Sequence, residues 1–490
     1  MSWFNRLSGR NQVAVSSSSQ TIGNLLVALI SVGVLRITTH QLGPEGYGLF
    51  ALVITYVSLF TLVTDLGITA MTTRELARQG ADQASILSVA MSSRVALSIA
   101  TIPVIIASAL IVYPGHSALF ELAIAVMSVD VLFKSIHAVG GTVFTVRIRG
   151  DVVASLLLIN RMLYLGGVIV VAILHGTYFA YICAYVGADL IIALTYLVLI
   201  RRLVALRWST DLGAWRIALV ASIPLGFIQV IDNVYSWVDS VMLSLLRSNV
   251  ELGLYIVAFN VVNMLSTISS FLMLALMPSL VNADRAEIER LVNRAVYVLT
   301  CVGAPLAVGA IVLNHEIVLL LAGPKFLAAA TPLAILAVSL PITFVQTAIG
   351  ITCLAVDRFR PLVAVGLVVL GVNVLVNLAM IPWLGPSGAA VTLVCTEFVS
   401  LIGTSIVFSR LTGIRADFVG LWRPILAACC VLGLVALRQP VLAHLGTIGA
   451  LIIGGALVGV LYGAALFVLR GLPEEVPTPR FLHAGRQRRR

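Results

Sequence analysis

The stretch that decides how this chain is read is RITTHQLGPEGYGLFALVITYVSLFTLVTDLG, running from Arg36 to Gly67. Two apolar runs flank a short LGPEG turn, an arginine opens the segment and an aspartate stands near its end. Glycine and proline interrupt a helix, so the run divides into the end of one apolar span and the whole of the next. A charged side chain at the centre of a bilayer costs at least about 3 kcal/mol and persists where a polar cavity or a partner receives it. The positions of such charges along the chain therefore carry information about function.

Composition sets the class. The 490 residues are 60% hydrophobic and 11% charged, with a mean hydropathy of +1.07. Soluble domains are about 45–50% apolar and about 25% charged, so the chain reads as an all-α polytopic membrane protein. Six cysteines (Cys183, Cys301, Cys353, Cys395, Cys429 and Cys430) lie in apolar runs without metal-ligand spacing and read as small hydrophobes. The start, MSWFNRLSGRNQ, precedes an apolar run too long for a cleaved signal and reads as a cytoplasmic leader, residues 1–13.

Crossing the hydrocarbon core takes about 20 mostly apolar residues. That ruler marks about fourteen stretches, near 14–39, 47–69, 86–112, 118–144, 153–174, 177–200 and 216–244 in the first part of the chain. The others lie near 252–280, 294–313, 328–356, 361–382, 387–409, 421–437 and 446–469. With a cytoplasmic N-terminus, the inside loops and tail hold about 24 Lys and Arg; the outside loops hold 3, Arg247, Lys325 and Arg438. One missed span would invert every later loop, so both termini are expected in the cytoplasm. The net charge of +10 mostly reflects this topology, and the final RQRRR reads as a headgroup anchor, with no nucleic-acid partner implied.

An internal repeat organises the spans. Gly48-Leu49-Phe50 falls on Gly253-Leu254-Tyr255, each following an outside loop and opening an even-numbered span, and WLGPSGAAVTL from Trp383 is a similar turn. The repeat implies two parallel six-helix lobes related by a pseudo-twofold along the membrane normal: 14–206, a linker 207–215, and 216–410. A helix pair, 421–469, and a basic tail, 470–490, follow.

Three regions carry a family resemblance: LGPEGYGLFAL…TDLGITAMTTRELAR from Leu42 to Arg78, WVDSVMLSLLRSNVELGLY from Trp237 to Tyr255, and Leu321 to Glu397. In this order they resemble the polysaccharide-unit flippases of the multidrug/oligosaccharidyl-lipid/polysaccharide exporter superfamily. The resemblance implies a multi-pass protein of the bacterial cytoplasmic membrane, not an enzyme. Its cargo would be a polyprenyl-pyrophosphate-linked oligosaccharide carried from the inner to the outer leaflet. Membrane lipids, a polysaccharide polymerase and glycosyltransferases are the implied partners. No P-loop, zinc pattern or nucleophile elbow accompanies the spans, so an ion gradient or the membrane potential is the expected energy source.

The first half holds four cations within its spans, Arg36, Arg94, Lys134 and Arg161. If their faces converge they form an anion site, with arginine forks gripping phosphate oxygens and a lysine adding a point charge. The alternative for each is snorkelling to an interface or local structural pairing. Asp130, Lys134 and His137 share one helical face at i, i+4 and i+7, and Asp65 and Asp189 are expected to hold arginines when no substrate is bound. The second half carries acids, Asp232, Asp239 and Glu397, and no deep cation. Asp232, Tyr235, Ser236 and Asp239 form a polar stripe; Asn373 and Asn377 share a face, and Thr392 opens the following span. Oxygen ligands of this kind suit sodium. Asp239, Asn373, Asn377 and Thr392 resemble the sodium site of the lipid II flippases, although Asn377 stands where a carboxylate is expected. Sodium or a proton, through Asp239 or Asp232, is thus the candidate coupling ion; plain interhelical hydrogen bonding is the alternative. Three functions stay open: an antiport-driven flippase, a cation-coupled multidrug exporter, and a non-transporting partner of polysaccharide assembly.

Overall fold

The structure is a computed structural model that describes residues 9–78, 82–147, 149–281, 283–355, 361–433 and 446–471. These are mostly helical, with no strand among the described residues. In chain order the helices are α1 (Gly9–Asp65), α2 (Ile68–Leu76), α3 (Gln83–Val112), α4 (Ala118–Val146), α5 (Gly150–Ile173), α6 (Tyr178–Leu203), α7 (Leu212–Leu246) and α8 (Asn249–Val281). There follow α9 (Arg285–Val312), α10 (Asn314–Leu321), α11 (Ala330–Ala337), α12 (Ser339–Ala355), α13 (Leu362–Leu384), α14 (Pro386–Thr412), α15 (Trp422–Leu432) and α16 (Thr447–Val468). Among the described residues, nine helices are long and apolar enough to cross a membrane, or ten if the pair Pro324–Ala337 and Ser339–Ala355, bent by 44°, counts as one span. Most of the leader, residues 434–437 of the thirteenth stretch and nearly all of the tail lie outside the described residues.

Local chemistry explains the helix ends. Asp82, Ser117, Asp211 and Asp284 cap α3, α4, α7 and α9, their side-chain oxygens accepting the first free backbone N–H groups. The LGPEG turn of the opening stretch is a kink inside α1: Gly43 has φ 64°, and Pro44 then starts the second helical segment. The second break follows Asp65, where Leu66 and Gly67 take φ of 40° and 82° before α2 begins. Helices α3 and α9 run on through Pro103 and Pro305.

Packing divides the chain into two compact units. The first takes the described residues of Met1–Met264, Val318–Pro332 and Arg360–Thr396; the second takes Leu265–Ile317, Leu333–Phe359 and Glu397–Arg490. In the first unit Leu87, Met91, Val139, Val143, Leu156, Ile192 and Tyr196 join α3, α4, α5 and α6 in one core. In the second, Ala304, Val308, Ala427, Val431, Val458 and Tyr462 join α9, α15 and α16. Large apolar side chains such as Ile111, Leu174, Leu375 and Val460 are exposed, as lipid-facing surfaces require.

Within the first unit the repeat-related glycines meet. A Cβ on Gly48 would stand 1.8 Å from the Asn249 carbonyl oxygen, and one on Gly253 would stand 2.4 Å from that of Pro44. The second segment of α1 and the start of α8 therefore touch backbone to backbone, a contact that only glycine permits.

Candidate functional site

A cavity of about 550 Å³ opens within the first unit. The end of α1 contributes Thr61, Leu62 and Asp65, α3 contributes Arg94, and α4 contributes Lys134. Across from these, α7 presents Gln229, Asp232, Asn233, Ser236 and Trp237, and α8 presents Phe259 and Asn263. The volume is in the range of small-molecule sites.

The break after Asp65 shapes one wall. Gly67 lies so close to α7 that a Cβ there would stand 2.4 Å from the Gly226 nitrogen, which lets α1 end and α2 turn away. Asp65 Oδ1 accepts the Thr69 backbone N–H at 3.0 Å and the Thr69 hydroxyl at 2.8 Å, capping α2. The same oxygen lies 2.7 Å from Arg94 Nη1, which also donates to the Thr69 hydroxyl. Arg94 is only 4% exposed, and its Nε–H is buried without an acceptor. A buried guanidinium held by one carboxylate oxygen keeps N–H groups for a second anion.

Lys134 reaches the cavity from a second polar cluster. Its Nζ lies 2.9 Å from Asp130 Oδ2 and 5.4 Å from the centre of the Tyr185 ring. Asn160 donates to Asp189 Oδ1 at 2.6 Å. His137 Nε2 lies 2.9 Å from the Asp189 carbonyl, which can only accept, so this nitrogen carries the proton.

Of the four expected cations, the structure brings Arg94 and Lys134 to the cavity and leaves the other two elsewhere. Arg36 donates to the Leu320 carbonyl at the end of α10, and Thr39 reaches Leu321 O at 3.3 Å. This is helix-end capping of free carbonyls, and Arg36 does not line the cavity. Arg161 lies on α5 with its Nε buried and unpartnered, and it does not line the cavity. Asp65 holds an arginine, as its type suggested; Asp189 instead holds Asn160.

The α7 stripe also divides. Asp232 and Ser236 line the cavity, whereas Tyr235 OH lies 3.1 Å from the Thr396 hydroxyl. Asp239 stands seven residues on, about 10.5 Å along the axis, where α13 covers it. There Asn377 Nδ2 donates both to Asp239 Oδ1 and, at 2.9 Å, to Asn373 Oδ1, while Tyr255 OH reaches Asp239 Oδ2 at 3.3 Å. The Thr392 hydroxyl turns away to the Gly388 carbonyl at 3.0 Å. In this arrangement the Asn377 amide nitrogen stands where the oxygens converge and donates to two of them, while Asn377 Oδ1 and Asn373 Nδ2 are buried without partners. Turning the Asn377 amide over would set its oxygen against the carboxylate, which is repulsive without a cation. Asn377→Asp should therefore create a cation requirement. Sodium at tenfold its dissociation constant should stabilise that variant over potassium by about 1.4 kcal/mol and leave the wild type unmoved, as melting temperatures in the two salts would show.

A search for charges missed Gln229, Asn233, Trp237, Phe259 and Asn263. The signal was present as Gln229, Asn233, Ser236 and Trp237, non-aliphatic residues at i, i+4, i+7 and i+8 in an apolar helix.

Helical spans surrounding a buried, charged cavity are the architecture of multi-pass transporters, and the comparisons with known proteins name the class. Solved structures similar in fold include the lipid II flippase MurJ in an inward closed conformation, at TM-score 0.75 and 12% identity over 92% of this chain and 98% of that one. A multidrug resistance MATE family transporter of the MOP superfamily, inward-facing, aligns at TM-score 0.58 and 12% identity over 79% and 94%. A MOP superfamily transporter from Pyrococcus furiosus with a binding pocket of reverse polarity aligns at 0.55 and 12% over 84% and 97%. No curated protein matches the sequence. The chain thus has the fold of the MOP flippases and exporters, which are membrane transporters and not enzymes. It belongs to the family described as polysaccharide biosynthesis protein, matched over residues 13–284, and the MatE family matches residues 224–379.

Proposed function

We propose that the chain flips a polyprenyl-pyrophosphate-linked oligosaccharide from the inner to the outer leaflet of a bacterial cytoplasmic membrane by alternating access. In this reading both termini are cytoplasmic, the lobes 14–206 and 216–410 rock against each other, and an ion gradient or the membrane potential supplies the energy. The carrying observation is that Arg94 and Lys134 share one cavity with Gln229, Asn233 and Trp237. Arginine and lysine match the two ionised phosphates of the headgroup. Amide side chains match vicinal sugar hydroxyls, and the indole offers a flat apolar face to a sugar ring. The family's role in polysaccharide biosynthesis supports the same cargo. A second reading, export of cationic amphiphiles, draws support from Asp65, Asp232 and Phe259 in the same cavity.

Mass spectrometry of lipid extracts tests the proposal. Cells lacking the protein should accumulate a polyprenyl-pyrophosphate oligosaccharide. Wild type and Arg36→Ala should clear it, because Arg36 caps α10; Arg94→Ala should not. An unchanged lipid profile together with lost drug resistance would favour the exporter instead.

A further inference from the structure

The charges around the cavity leave a carboxylate over. Among the described lining residues the ionisable side chains are Asp65, Arg94, Lys134 and Asp232, as many acids as bases. Both bases already hold a carboxylate: Arg94 Nη1 lies 2.7 Å from Asp65 Oδ1, and Lys134 Nζ lies 2.9 Å from Asp130 Oδ2. With Asp130 counted behind Lys134, the excess charge is negative and falls on Asp232 of α7. Asp232 is exposed where it lines the cavity. Its carboxylate has no ion pair or hydrogen bond among the described residues; Ser236 donates only to its backbone carbonyl, at 2.8 Å. A diphosphate entering this space meets two cations already paired and one bare carboxylate that repels it. The same wall is rich in oxygen. Gln229, Asp232, Asn233 and Ser236 recur at i, i+3, i+4 and i+7, so one face of α7 brings all four to the cavity. Asn233 Oδ1 is buried without a donor. Carboxylate and amide oxygens suit hard divalent cations, and magnesium is commonly held by one or two carboxylates together with substrate phosphates and waters.

We infer that this face of α7 is the protein half of a divalent-cation site that the diphosphate of the cargo completes. Asp232 takes one side of a magnesium ion, with Gln229 and Asn233 beside it, directly or through the ion's waters. Phosphate oxygens take the other side, and Arg94 and Lys134 grip the phosphate oxygens that remain. The ion cancels the two negative charges of the headgroup and turns Asp232 from a repelling group into an attracting one. No three His, Cys, Asp or Glu side chains come together as a metal cage among the described residues, so the ion binds together with the cargo. Linkage is reciprocal: magnesium tightens the diphosphate by the factor by which the diphosphate tightens magnesium. The site favours diphosphates over monophosphates, since only a diphosphate chelates the ion through two phosphates. It lies apart from the Asp239 cluster and rests on the proposed reading of the cavity as an anion site.

Titration calorimetry of the full-length protein in detergent tests the inference, with geranylgeranyl pyrophosphate as the probe in either magnesium or EDTA. Wild type should bind about tenfold or more tightly with magnesium, within the range of ordinary coupling between two ligands. Asp232→Asn should lose that gain. In EDTA the same variant should bind more tightly than wild type, because the repulsion is gone, and that binding also shows that it is folded. Geranylgeranyl monophosphate should show a smaller gain from magnesium on wild type. An equal gain in wild type and Asp232→Asn would overturn the role of Asp232. Binding of the pyrophosphate with no gain in wild type would overturn the ion and leave the anion reading of the cavity standing. No binding in either medium would sink the anion reading itself. Binding of tetraphenylphosphonium that depends on Asp232, without a magnesium gain, would assign the carboxylate to an organic cation instead.

Discussion

Arg94→Ala should abolish transport and destabilise the protein together, and a second substitution should separate the two effects. Arg94 is buried against Asp65 and Thr69, so its loss leaves a carboxylate beside the α1–α2 break with no counter-charge. Breaking such a pair from one side costs about 3–5 kcal/mol, while removing both partners costs far less. Arg94→Ala with Asp65→Asn should therefore recover most of the lost thermal stability. Transport should stay down by about a hundredfold or more, the scale of a lost charge-assisted contact to a phosphate. Arg94→Lys should keep the charge and stability better than the activity, because an ammonium cannot reproduce the fork. Melting curves paired with a flipping assay in vesicles would decide it. Transport restored by the double variant would show that Arg94 only neutralises Asp65.

Gly48→Ala should be among the most damaging small substitutions in the chain. Its Cβ would fall 1.8 Å from the Asn249 carbonyl oxygen, a backbone atom on α8 that cannot rotate aside. The two backbones must separate, and overpacking of a tight core ordinarily costs about 1–3 kcal/mol, with more expected where backbone blocks the way. Gly253→Ala meets the Pro44 carbonyl at 2.4 Å across the same interface and should behave alike. Because both open one contact, the double variant should cost clearly less than the sum of the singles. Unfolding of the singles and the double, measured in the same detergent, checks this. Strict additivity would mean that the two glycines act at separate places.

The mildness expected of Arg36→Ala marks how a shared residue type can hide two roles. Arg36 and Arg94 both stand in apolar spans, yet one caps a helix and the other lines a cavity. Asn377 makes the same point with the opposite sign, since a residue expected to offer an oxygen donates its amide N–H to Asp239 and Asn373.

Read alone, the residue order sufficed for everything that depends on local pattern. Apolar runs separated by polar loops determined that the chain is helical and multi-pass, because backbone in lipid must satisfy its own hydrogen bonds. The i, i+4 spacing of Asp130 and Lys134 set them on one helical face, and Gly43-Pro44 marked the first break of α1. Only the tertiary structure decided which charges meet. A helix that is apolar on every side carries no mark of which face turns inward. The sequence therefore could not show that Arg94 and Lys134 would share a cavity while Arg161 faced elsewhere. Nor could it show that Asp239, one stripe with Asp232 on paper, would lie outside the cavity lining, under α13. Those choices are made by contacts between residues far apart in the chain: Gly48 with Asn249, Gly67 with Gly226, and Asn377 with Asp239.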